Sequence, residues 1–204
     1  MNSRKKIMKG RLNHIADIFT GVTLREKPVP ATDGNAQVLL MQLGDLNTEG
    51  NIQSHTMLKV SQQDHFDKFM VSAGEIVFRG RGAGFVAAVM PHAELPIVVA
   101  SPLIIIRPNL KKVDPHYLVW AMTNDHARRY YAEHSRGSNI VGIGKRDLDQ
   151  LEIDLPPINV QKMIGQVEQL AAEEQRLLTR YQKAKSRLVE AMIVESINNK
   201  ESAA

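Results

Sequence analysis

The sequence predicts an α+β protein, a strand-rich domain followed by a long C-terminal coiled-coil helix. Three observations carry this. Short apolar runs alternate with turn residues from Leu12 to Pro157, and Pro156-Pro157 ends that pattern. From Val160 to about Asn198 the chain then has no proline, only Gly165, and a helical repeat of apolar residues. With 204 residues, 43% of them hydrophobic and 24% charged, the chain is long enough to bury a core without cross-links. Cysteine is absent, which excludes disulfide frameworks, thiolate metal sites and cysteine nucleophiles.

The expected organisation is a basic tail over 1–11, a domain over 12–157, a helix over 158–198 and a tail over 199–204. In the domain, Gln37-Val-Leu-Leu-Met-Gln-Leu43 reads as a strand closed by Gly44-Asp45 and the turn residues Asn47 to Asn51. Glu75–Arg79 and Phe85–Met90 read as two strands of a hairpin joined by Gly80-Arg81-Gly82-Ala83-Gly84. Ile97–Ala100 and Leu103–Arg107 are further strands, rich in β-branched residues. Asp114-Pro115 starts a helix, with Asp as cap and Pro in the first turn, running from Tyr117 to about Glu133. Leu151-Glu-Ile-Asp-Leu155 alternates apolar and acidic residues, as a half-buried strand does.

Beyond Pro157, steps of four and three residues pick out Met163, Val167, Leu170, Glu174, Leu177, Tyr181, Ala184, Leu188 and Ala191. Leu178, Met192 and Ile193 widen this face. A helix of roughly 35–38 residues spans on the order of 50–57 Å, more than a domain of this size covers. Its stripe predicts a second long helix as partner, in a coiled coil. The alternative is a helix folded back on its own domain.

Charge is uneven. The net charge is +4, and Met1–Pro30 holds Arg4, Lys5, Lys6, Lys9, Arg11, Arg25 and Lys27 against Asp17 and Glu26 alone. Such a surface is either a solvated face or a nucleic-acid footprint. The histidines at 14, 55, 65, 92, 116, 126 and 134 show no zinc-binding spacing. Residues 80–84 lack the Gly-Lys-Ser/Thr ending of a phosphate-binding loop. They read as a tight turn, or as a loop where Arg79 and Arg81 approach a phosphate. Asp154-Leu-Pro-Pro-Ile158 lacks the adjacent acceptor and the aromatic platform that amino-methyltransferases use on a flipped base. No nucleophile elbow appears either. A non-enzymatic binding protein is expected. With no apolar run of about 18 residues and no apolar stretch after the basic N-terminus, it is expected to be soluble and cytoplasmic.

The motif order resembles one half of the DNA-specificity (S) subunit of type I restriction–modification systems. That family shows Gly-Asp-Ile-Leu-Phe-Ser-Arg-x-Gly, matched here by Gly74-Glu-Ile-Val-Phe-Arg-Gly-Arg-Gly82 with Glu75 for the aspartate. An apolar strand ending in Arg-Pro is matched by Ile104-Ile-Ile-Arg-Pro108. Pro-x-Tyr-Leu is matched by Pro115-His-Tyr-Leu118, and the Gly-Ser/Thr…Ile segment by Gly137–Ile143. The most specific motif, Asp-Leu-x-x-Leu-x-Ile-x-Leu-Pro-Pro-x-x-x-Gln-x-x-Ile, is matched from Asp147 through Gln161 to Ile164.

The resemblance implies a target-recognition domain that binds duplex DNA. It also implies a long helix for dimerisation and partner docking, carrying Met163, Val167, Leu170, Leu177, Tyr181, Ala184 and Leu188. Family members carry two domains and two helices, so one of each here implies a homodimer with antiparallel helices that reads a split palindrome. The implied partners are a modification subunit, which uses S-adenosylmethionine to methylate adenine, and a restriction subunit; no cofactor is implied for this chain, and no membrane. Candidate DNA contacts are Arg79, Arg81, Lys145 and Arg146 on glycine-rich loops, then Arg25, Lys27 and Arg136, with Arg81, Arg136 and Asn139 as base readers. The competing readings are a coiled-coil regulatory protein whose domain binds protein, and an RNA-binding module. Aromatic residues at only 5% disfavour the latter.

Overall fold

The computed structural model describes residues 8–31, 37–82, 84–135 and 142–201. They divide into two compact units after Gly165. In chain order, the first unit contains β1 (Met8–Arg11), β2 (Ala16–Thr20), β3 (Val38–Met41), β4 (Leu58–Val60), β5 (Met70–Val71), β6 (Ile76–Arg79), β7 (Val86–Val89), β8 (Ile97–Val99) and β9 (Leu103–Pro108). After these come α1 (Pro115–Thr123), α2 (Asp125–His134), α3 (Lys145–Gln150), β10 (Glu152–Leu155) and the root of α4 (Ile158–Glu201).

Two four-stranded sheets stack. The first has the order β2-β9-β6-β7 and is antiparallel throughout; the second has the order β4-β3-β8-β5, with β3 and β8 parallel. Because successive strand residues point to opposite faces, each apolar strand feeds two cores. Ile76, Phe78, Ile104 and Ile106 pack under α1, α2 and α3 with Tyr117, Leu118, Tyr131 and Leu148. Val77, Leu103 and Ile105 face Met41, Ile97 and Val99 between the sheets. Val38, Leu40 and Val98 cover the far side of the second sheet with Val22 and Phe66. Burial on both faces explains why these strands read as unbroken apolar runs rather than alternating ones.

The expected hairpin is β6–β7, with Ile76 opposite Val89 and Arg79 opposite Val86. The single helix expected from Tyr117 to Glu133 is instead two. Asn124 has extended backbone (φ −70°, ψ 173°), and its side chain accepts from Ala127 N at 3.0 Å. It therefore closes α1 and caps α2, a side chain–backbone bond that competes with helix continuation. Part of the stretch expected as an N-terminal tail, Met8–Arg11, is β1, paired antiparallel with β10 and placing Lys9 opposite Asp154 and Arg11 opposite Glu152.

Gln161 and Gly165 fasten the root of α4. Gln161 is 2% exposed; its Oε1 accepts from Asp114 N at 3.0 Å, and its Nε2 donates to Pro156 O at 2.8 Å and Lys112 O at 3.2 Å. Gly165 lies against the first turn of α1. In the second unit, α4 continues as helix to Glu201, and Val167, Leu170, Leu177, Leu178, Tyr181, Leu188, Met192 and Ile193 are all exposed, as is Met163 near the root.

Candidate nucleic-acid interface

The motifs divide into fasteners and candidates for contact. Glu75 and Arg107 form an ion pair at 3.0 Å, and Arg107 Nη2 donates to Met70 O at 2.8 Å. Its guanidinium also lies 4.9 Å from the Phe19 ring centroid, so Arg107 ties the edges of both sheets together. The Tyr117 hydroxyl donates to Asp154 O. Burial, with the Asp154 carboxylate adding to it, pushes that phenol up to about 12, leaving a permanent neutral donor. Asp114 caps α1 by accepting from His116 N and Tyr117 N, each at 3.0 Å.

The glycine-rich end of the β6–β7 hairpin presents an exposed arginine, Arg81. Gly82 and Gly84 take left-handed backbone, φ +87° and +100°, which suits glycine alone. Gly80 is closed in by the segment 142–144: Ile143 N donates to Gly80 O at 2.8 Å, and a Cβ at 80 would collide with Ile143 O. Arg81 pairs with Gly142 in an antiparallel bridge. A third loop joins them, because Arg79 Nη1 donates to Leu46 O at 3.0 Å and its Nε to Arg81 O at 3.3 Å.

The expected contact residues therefore fall into different settings. Arg79 is half-buried and engaged with two carbonyls, whereas Arg81 is exposed at the hairpin end. Lys145 and Arg146 open α3 just after the segment that meets Gly80; both are exposed, with Lys145 held by Asp149 at 2.7 Å. Arg25 and Lys27 lie elsewhere, lining a groove of about 1140 Å³ with His65, Phe66, Lys68 and Phe69 on the outer side of the second sheet. Arg136 and Asn139 lie outside the described residues. Among the described residues there is no group of three or more His, Asp or Glu placed to hold a metal ion, and no helix long and apolar enough to cross a membrane.

No protein-family model matches the chain, and no curated protein matches it. Solved structures do. A chain from a structure of the type I restriction–modification system, concerned with its complex assembly and conformational transition, superposes with a TM-score of 0.58 at 17% identity. That match covers 91% of this chain and 43% of the other. The HsdS subunit from Thermoanaerobacter tengcongensis gives 0.58 at 18% identity, covering 89% and 41%. The type I S subunit from M. genitalium gives 0.53 at 18%, covering 87% and 42%.

The fold is that of a type I specificity subunit. This chain spans about two fifths of the length of the specificity-subunit structures it matches. In this specificity-subunit fold, the Leu-Pro-Pro-x-x-x-Gln signature acts as a joint: Pro156 and Gln161 bind one another across the entry to α4. The loop 46–52, brought to the hairpin by Arg79, was legible only as a turn. Its partner lies 33 residues away, and turn chemistry carries no trace of that contact.

Proposed function

We propose that this chain confers DNA sequence specificity in a type I restriction–modification system and performs no chemistry itself. The observation that supports this is the superposition of the chain, a two-sheet domain followed by a long helix, on S-subunit structures at TM-scores of 0.53 and 0.58. The first unit binds duplex DNA, with Arg81, Lys145 and Arg146 near the hairpin neutralising phosphates and Arg25 and Lys27 extending the basic surface. Residues 136–139 add Arg136 and Asn139 to the expected contacts.

The α4 stripe pairs with a second copy of itself in an antiparallel coiled coil. Parallel pairing in register would set Glu174 against Glu174 in the apolar seam, which antiparallel pairing avoids. A symmetric dimer of this kind reads two half-sites about a twofold axis. A modification subunit carrying S-adenosylmethionine methylates adenine at the site so marked, and a restriction subunit joins the same assembly in the cytoplasm. The test is co-purification of the full chain with a type I modification subunit, followed by mapping of methylated adenines. Methylation at a split, twofold-related site is the expected result; methylation that does not depend on this chain would refute it.

A further inference from the structure

We infer that the loop 46–52 is a base-reading finger of the DNA surface and that Arg79 is its positioning residue. This rests on the duplex-DNA reading above. The loop is built to hold one shape. Asp45 is buried, and its carboxylate accepts from Gln42 N at 2.7 Å and from the Thr56 hydroxyl. Gln53 N returns to Asp45 O at 2.8 Å, and Leu46 and Ile52 form an antiparallel bridge.

At the tip, Asn47 Oδ1 accepts from Glu49 N at 3.0 Å and Asn51 N at 2.8 Å, and Gly50 adopts φ +84°. The loop also lies along β7: a Cβ on Gly50 would sit 3.6 Å from both Ala87 O and Val86 Cγ1. It thus touches the hairpin on two sides, at Arg79 and at the start of β7.

Its exposed groups suit base edges better than phosphates. Thr48 and Glu49 are exposed, with Asn47 and Asn51 half-buried beside them. A carboxylate repels the DNA backbone, but it accepts from the exocyclic amine of cytosine, and hydroxyl and amide groups pair with either purine or pyrimidine edges. Arg81, exposed on the adjoining hairpin, supplies the phosphate contact that sets such a finger in register. Arg79 acts through the loop: its guanidinium N–H groups are directed to Leu46 O and Arg81 O, so it joins reader to anchor.

The experiment uses the full chain in complex with its modification subunit and a random-sequence duplex library. The enriched duplex is then competed against a scrambled one across a salt series. Arg79→Ala is expected to lower the preference for the enriched duplex about tenfold, with the salt slope on scrambled DNA unchanged. Arg81→Ala is expected to weaken both duplexes and to reduce the slope by about one. Glu49→Gln, an exposed change that leaves folding intact, is expected to alter the enriched sequence. An unaltered sequence with Glu49→Gln, or a flattened slope with Arg79→Ala, overturns the finger assignment while leaving DNA recognition standing. A wild-type complex that enriches no sequence overturns the duplex reading itself, and the finger with it.

Discussion

Alanine in place of a helical glycine ordinarily stabilises a protein by about 1 kcal/mol. Gly165→Ala should do the opposite here. A Cβ at this position would lie 2.9 Å from Asp114 Oδ1, 2.9 Å from His116 Cβ and 3.0 Å from Tyr117 N. The last two atoms belong to the first turn of α1 and cannot swing aside as the tip of a flexible chain could. Relieving the overlap must separate α4 from α1, at about 1–3 kcal/mol for an overpacked contact. It must also disturb the Asp114 cap, whose two bonds at 3.0 Å are together worth about 1 kcal/mol. After the helical gain is offset, about 1–3 kcal/mol of destabilisation remains, or a fall of several degrees in melting temperature for a domain of this size. Urea denaturation of the full chain followed by circular dichroism would measure it. Gly44→Ala is the control, since a Cβ there meets nothing within 4 Å, and it should stay within about 0.5 kcal/mol of the parent. A neutral or stabilised Gly165→Ala variant would refute the close approach of α4 to α1.

Gln161→Ala leaves a backbone N–H and two carbonyls without their partner and should cost about 2–4 kcal/mol, read by the same denaturation; a loss under about 1 kcal/mol would show that water replaces the amide. Replacing Leu177, Tyr181 and Leu188 together with polar residues should abolish self-association in sedimentation, while the near-ultraviolet spectrum of Trp120 and the buried tyrosines stays unchanged. Burial holds the His116 pKa below its ordinary value, with Asp114 partly opposing. The unfolded chain therefore takes up this proton first, so the contribution of His116 is complete above about pH 6.5 and is lost as pH falls through the folded pKa. A melting curve against pH should show this acid loss, and His116→Gln should reduce it.

Much of the fold was legible because burial on both sides of a strand leaves a plain trace. Leu103–Ile106 and Ile97–Val99 are apolar throughout, and the glycines of 80–84 mark the hairpin between two such strands. The α4 stripe was legible from its helical spacing alone, although its large apolar residues are exposed in the chain. Other elements were hidden by what stabilises them. β1 is charged and reads as a tail, yet it is held by a strand more than 140 positions later in the chain, with Lys9 3.8 Å from Glu152. β5 has two residues and no periodicity to detect. The break at Asn124 depends on one capping side chain within an otherwise helical pattern. For the candidate site, residue type showed that Arg79 and Arg81 were cationic and near a turn. It could not show that one points inward to a carbonyl while the other stands in solvent, because that difference is set by a loop 33 residues upstream.

The order in which the strands are used has its own consequence. β2 of the first sheet comes first, then β3, β4 and β5 of the second, the β6–β7 hairpin of the first, β8 back in the second and β9 in the first. Neither sheet can be completed until nearly all of the other has been synthesised, and the parallel β3–β8 pair closes only across that intervening chain. Such nested pairing is non-local and slow to nucleate. No fragment ending between residues 41 and 97 should hold either sheet, and the two should melt together in one transition rather than layer by layer.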